Sequence, residues 1–228
     1  MKVAFFDIDK TIYNDHSFFQ IAANELRERK IDIESWNSIQ HLVSRYRNAE
    51  LSYTEAANQL LIVFAFALKN QKYQELYDDC RKFFFKNKQN FFPYFERILR
   101  NLSNSHDIYL VTTNTQFVAE AVVDLFNLKG FISTEFEIKN GLFTGKVTRS
   151  LADGKEMISN LLELYGRNGS IAVGDSGNDI SMLKLVEHPL CINPDDELKD
   201  YALQNNWPTF NDEEAEEVLS KIILVKKS

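Results

Sequence analysis

Short apolar runs ending in polar residues recur along the chain, at Val3–Phe6, Ile108–Val111 and Ile171–Val173. Each is followed by a polar turn and then by helical periodicity. Strands alternating with helices in this way predict an α/β fold, a doubly wound and mostly parallel sheet with helices on both faces. In such sheets ligands lie beyond the carboxyl ends of the strands, so the residues just after each run are the first candidates for chemistry.

Between the first two runs the pattern changes. Residues 15–90 contain neither glycine nor proline and are rich in Glu, Gln, Leu, Ala and aromatic residues. Asp32-Ile-Glu-Ser and Ser52-Tyr-Thr-Glu read as helix starts, the second with glutamate at the capping-box position. A helical insert of about four helices is expected over 14–91, with Pro93 marking the return to the α/β core. Farther on, Thr134–Ile138, the pair Asn140-Gly141 and Leu142–Val147 predict a β-hairpin with an Asn-Gly turn. The acidic stretch from Asp212, followed by Val, Leu and Ile positions, predicts a closing helix with a dipole-favoured start.

The length, 228 residues, suits one large domain or a core plus an insert. A net charge of -7 argues against a general nucleic-acid binder, whose partner needs a basic face. It leaves room for a small phosphorylated metabolite, for which a metal and a few local cations suffice. Cys80 and Cys191 are far apart and lack metal-ligand spacing, which points to a reducing compartment. The first residues show no signal-peptide pattern, and Leu60–Leu68 is too short to span a bilayer. The expectation is a soluble cytoplasmic protein with no membrane or nucleic-acid partner.

Four segments carry candidate chemistry. Asp7-Ile8-Asp9-Lys10-Thr11 follows the first run, and two carboxylates converging there need a cation or a proton between them. Mg²⁺, a hard dication, suits oxygen ligands of this kind. Gly174-Asp175-Ser176-Gly177-Asn178-Asp179 follows the third run and adds carboxylates in a turn where backbone can approach a ligand closely. Thr112-Thr113-Asn114 precedes a helix expected over Gln116–Phe126, where hydroxyls and free N–H groups make either a helix cap or a phosphate-sized anion site. Lys155 is placed at the start of an amphipathic helix running to about Tyr165, where its charge opposes the dipole. The aromatic groups Phe83-Phe84-Phe85 and Phe91-Phe92-Pro93-Tyr94-Phe95 fit either helix packing or an apolar pocket.

In this order the four segments resemble the motif set of the haloacid dehalogenase (HAD) superfamily. The insert after the first strand is similar to the helical cap of its phosphoserine-phosphatase-like branch. The resemblance implies a Rossmann-like catalytic core over 1–13 and 92–228 with a cap over 14–91. It implies a phosphatase in which Asp7 is the nucleophile and Asp9 the acid and base. Thr112 then matches the phosphate-binding hydroxyl and Lys155 the invariant cation. Mg²⁺ would be held by Asp7, Asp175 and the Asp9 carbonyl, with Asp179 in support. Thr11, Thr113, Asn114 and Asn178 join the expected phosphate-binding set. Dehalogenases of the superfamily lack the second aspartate, so Asp9 favours phosphoryl transfer. His16 and Leu60 stand where phosphoserine phosphatases carry a glutamate and an arginine that grip serine. That makes His16 a candidate substrate contact and phosphoserine a poor substrate. A phosphotransferase would use the same residues, and a non-catalytic phosphate sensor could share the fold.

Overall fold

The structure, a computed structural model, describes residues 1–224. Its framework follows from β1 (Lys2–Phe6), where Val3, Ala4, Phe5 and Phe6 are all fully buried. Side chains alternate across a strand, so the run feeds two cores. Ala4 and Phe6 join the larger apolar cluster, while Val3 and Phe5 join the one on the opposite face. Only a sheet covered on both faces needs such a strand.

The other strands are β2 (His106–Thr115), β3 (Gly130–Lys139), β4 (Leu142–Arg149), β5 (Ile171–Gly174), β6 (His188–Ile192) and β7 (Thr209–Phe210). Their spatial order is β4-β3-β2-β1-β5-β6-β7. All neighbours are parallel except β3 and β4, which form the expected hairpin. At its tip Asn140 and Gly141 both take positive φ, 52° and 78°, the backbone that a two-residue turn between twisted strands requires. The chain leaves central β1 toward β2 on one side and later returns to β5 on the other. The carboxyl ends of these three strands therefore enclose a crevice.

Five helices lie between β1 and β2, the first four of them within the insert: α1 (Ser17–Arg27), α2 (Ile33–Arg47), α3 (Tyr53–Ala67) and α4 (Tyr73–Lys86). The Asp32 side chain caps α2 by accepting from Ser35 N, and Ser52 with Glu55 forms a reciprocal capping box on α3. Pro93 opens α5 (Pro93–Leu102), where its missing N–H is no loss. The remaining helices are α6 (Gln116–Phe126), α7 (Ser159–Tyr165), α8 (Ile180–Leu183), α9 (Asp196–Asn205) and α10 (Ala215–Leu224). Among the described residues no helix is long and apolar enough to cross a membrane.

The aromatic groups resolve as packing. Phe84, Phe91, Phe92, Tyr94 and Phe95 are buried, and Tyr13 meets Phe84 and Phe91 edge-on with ring centroids 5.5 and 4.9 Å apart. They fasten the inserted helices to the sheet, while Phe85 faces outward, 76% exposed. Both cysteines are buried and unpaired.

Candidate active site

Each carboxylate is placed by the end of a strand. Asp7 leaves β1 with its N–H still bonded to Val173 O of β5 at 3.1 Å, which fixes it between the two strands. The next turn closes with Lys10 at φ 61°, so its side chain turns away and remains half-exposed. Asp175 follows β5 directly. Gly174 lets Asp179 fold back on the strand end, since a Cβ there would sit 2.5 Å from the Asp179 side chain. Asp179 Oδ2 then accepts from the backbone N–H groups of Asp175 and Ser176, each at 3.0 Å.

Lys155 joins these groups. It is 2% exposed, and its Nζ donates to Asp7 Oδ1 at 2.7 Å and to Asp179 Oδ1 at 2.6 Å. The expected helix is shorter than its pattern suggested: Lys155 precedes a 3₁₀ turn, Glu156–Ile158, before α7 begins. Gly154, at φ 148°, lets the chain turn inward ahead of it. The lysine thus serves the carboxylates instead of opposing a helix dipole.

Electrostatics in the crevice are unbalanced. Among the described residues, Asp7, Asp9, Asp175 and Asp179 face Lys155, with His16 beside Asp9. Burial, only partly offset by Lys155, pushes Asp7 up to about 7. Burial, followed by Asp179 and Asp7, drives Asp175 well above the usual carboxylate range. Asp9 is also raised by burial, against two hydrogen bonds from Ser17. For Lys155 burial works the other way, but Asp179 and Asp7 more than offset it and keep the amine charged. Ligand oxygens of Asp7, Asp175 and Asp179 lie within 4.8 Å of one another. A set of hard oxygen donors with excess negative charge fits a small hard dication.

The phosphate-site candidates come from the end of β2. Thr112-Thr113-Asn114 belongs to β2, which extends beyond the expected end at Val111; α6 begins at Gln116 as expected, with Thr115 as its N-cap. Pairing with β3, at Thr112 with Ser133 and Thr115 with Thr134, extends the strand through these residues. Thr112 Oγ1 accepts from Asn114 N at 3.1 Å, which leaves its own O–H to donate. Thr113 donates to Asn178 Oδ1 at 3.0 Å, and Asn178 Nδ2 donates to Ala152 O at 3.1 Å, tying this strand to the segment that leads into Lys155.

One cavity of about 180 Å³ gathers Asp7, Asp9, His16, Thr112, Thr113, Asn114, Lys155, Asp175 and Asn178 from the expected set. Thr11 lies elsewhere: it is fully buried and donates to Asp175 Oδ1 at 2.9 Å, so it orients a carboxylate and does not line the cavity. Asp179 likewise sits behind the cavity wall. The far wall comes from the insert, through His16, Phe18 and Phe19 near the start of α1 and Tyr53, Leu60 and Leu61 of α3. Leu60 lines the cavity, whereas Arg45 and Arg47 do not. Burial pushes the Tyr53 phenol up to about 12 beside Thr113, although the residue keeps an exposed face. Sequence reasoning missed Phe18, Phe19, Tyr53 and Ser17. Ser17 donates to Asp9 Oδ1 from Oγ at 2.6 Å and from N at 3.1 Å. Its only local signal is the first position of α1.

The model of the haloacid dehalogenase-like hydrolase family matches residues 4–184. A histidinol-phosphatase from Neisseria meningitidis serogroup C (strain 8013) is 27% identical over 234 residues, covering 92% of this chain and 98% of that protein. A solved protein of unknown function from Bordetella pertussis Tohama I superposes with a TM-score of 0.74 at 22% identity, covering 92% of this chain and 98% of the other. A phosphoserine phosphatase, solved as a phospho-aspartyl intermediate analogue, superposes with a TM-score of 0.65 at 16% identity over 96% of this chain and 98% of its own. Those two likenesses bear on the fold.

Proposed function

This chain belongs to the haloacid dehalogenase-like hydrolase family, and we propose that within it the protein is a Mg²⁺-dependent phosphatase acting on a small phosphate monoester through an aspartyl-phosphate on Asp7. It is a phosphoric monoester hydrolase by its family and its Neisseria relative; the metal and the intermediate are our reading. The observation that carries it is the buried Lys155, shared between Asp7 at 2.7 Å and Asp179 at 2.6 Å beside Asp175 and Asp9.

Asp7, Asp175 and the Asp9 carbonyl would hold Mg²⁺, which when bound offsets the repulsion between the phosphate and these carboxylates. Lys155 orients the Asp7 carboxylate for attack on phosphorus. The Asp7–phosphorus bond forms as the ester P–O bond breaks, and Asp9 gives its proton to the departing oxygen. Asp9 then takes a proton from the water that cleaves the aspartyl-phosphate, restoring both residues. Thr112 O–H and nearby N–H groups donate to the transferring oxygens, where preorganised donors contribute most. The four helices of residues 14–91 act as a cap that encloses the leaving group.

The cavity also bears on substrate class. Apart from Lys155, no lysine or arginine among the described residues lines it. A substrate carboxylate would find no second lysine or arginine there, while Phe18, Phe19, Leu60, Leu61 and His16 favour an alcohol with a compact apolar or ring-bearing body. Histidinol phosphate, named by the Neisseria relative, has that character. The test is phosphate release from p-nitrophenyl phosphate and histidinol phosphate, with Mg²⁺ and with excess chelator. Hydrolysis that disappears with chelator is expected. Full activity in chelator, or none toward any phosphate ester, would overturn the reading.

A further inference from the structure

We propose that Ser17 is a positioning residue that aims the Asp9 carboxylate at the leaving-group oxygen, a role resting on the phosphatase reading above. Ser17 is fully buried and opens α1. Its Oγ donates to Asp9 Oδ1 at 2.6 Å and its backbone N–H donates to the same oxygen at 3.1 Å. His16, the N-cap, makes no side-chain capping bond to this helix. Asp9 therefore caps α1 from outside, and the positive end of the helix faces its carboxylate. Ser17 is itself held from the other side, because Asn114 Nδ2 of β2 donates to Ser17 Oγ at 2.9 Å. Three elements thus meet at Ser17 Oγ: the turn after β1 through Asp9, the start of α1, and the end of β2 through Asn114.

The convergence has a chemical consequence. With Oδ1 held by two donors, Oδ2 is the oxygen that carries the proton to the departing alcohol. One donor alone would let the carboxylate rotate about its Cβ–Cγ bond; two donors on a helix end, themselves braced by Asn114, restrain that rotation. Proton delivery is sensitive to such placement. The dependence is selective. An alkyl alcohol needs the proton as it leaves, whereas p-nitrophenolate departs as the anion. A group that serves Asp9 only must therefore matter more for alkyl than for aryl esters.

The experiment compares kcat/KM for an alkyl phosphate, such as histidinol phosphate or glycerol phosphate, with that for p-nitrophenyl phosphate. This constant stops at formation of the aspartyl-phosphate, so the later hydrolysis does not mask the effect. For Ser17→Ala the ratio of alkyl to aryl kcat/KM should fall about tenfold, the effect of one hydrogen bond to a charged group. Ser17→Thr, which keeps the hydroxyl, should restore most of the ratio, and thermal melting should show all three proteins folded. A folded Ser17→Ala protein with an unchanged ratio overturns the assignment. So does a folded Ser17→Thr protein that matches Ser17→Ala. A wild type inert toward both esters with Mg²⁺ overturns the phosphatase reading and this role together. A wild type active on both, with an equal loss for both in Ser17→Ala, overturns the role of Ser17 alone.

Discussion

The far end of α1 offers a perturbation whose size can be worked from the structure. Glu25 is fully buried; its Oε1 accepts from Asn24 Nδ2 at 3.2 Å, and its Oε2 has no hydrogen-bond partner among the described residues. Lys30 Nζ stands 3.9 Å from Oε2 but is engaged by Asp79. Burial, against smaller lowering effects of Asn24 and Lys30, pushes the carboxyl from its ordinary 4.5 up to about 7. A folded-state value above the unfolded one means that the fold holds the proton more tightly. The stability from this group is full below about pH 4.5 and is lost as pH rises through about 7. The gap corresponds to about 3 kcal/mol. Glu25→Gln replaces the group by a neutral one of the same shape. Its stability advantage over the wild type should be small near pH 5 and should grow by about 2–3 kcal/mol by pH 8. Urea unfolding of both proteins at several pH values gives the difference directly, and other titrating groups such as Asp7 cancel in it. A difference that does not vary with pH, or a variant less stable than wild type at pH 8, would refute the reasoning.

Two further outcomes follow from the active site. Ca²⁺ should inhibit the Mg²⁺-supported reaction, because it takes more oxygen ligands at longer distance and can hold Asp7 through both oxygens; equal turnover with Ca²⁺ as the sole dication would contradict this. Free phosphoserine should be hydrolysed with a kcat/KM roughly a hundredfold below the best alkyl phosphate, since Leu60 leaves its carboxylate unpaired, and Leu60→Arg should narrow that gap; phosphoserine ranking first in a metabolite panel would refute the argument.

How much of this was legible depended on how local each signal was. The capping box at Ser52 and Glu55, the cap at Asp32 and the Asn140-Gly141 turn each depend on a few adjacent residues, and each formed where the sequence put it. Asp7, Asp9 and Asp175 were legible because a carboxylate after a buried strand must face the crevice. Thr112–Asn114 were expected between a strand ending at Val111 and the helix, but β2 runs on through them, because pairing with β3, far along the chain, decides where β2 ends. The phenylalanine clusters were ambiguous because a buried ring fits a core and a pocket equally; only the packing of Tyr13 against Phe84 and Phe91 settles it. Ser17 and Tyr53 escaped notice because their importance comes from where α1 and α3 meet the sheet. Thr11, next to the nucleophile motif, looked like a phosphate ligand until its bond to Asp175 appeared.

The central claim, that Asp7 carries the phosphoryl group, can be read from one peptide. Protein mixed with p-nitrophenyl phosphate and Mg²⁺, quenched in acid during turnover and reduced with borohydride, converts a phosphorylated aspartate to homoserine. Tryptic cleavage after Lys2 and Lys10 isolates Val3–Lys10, which contains both Asp7 and Asp9. Fragment-ion sequencing of that peptide should find homoserine at position 7, absent without Mg²⁺ and absent in Asp7→Asn. Homoserine at position 9, or steady turnover by Asp7→Asn, would contradict the account.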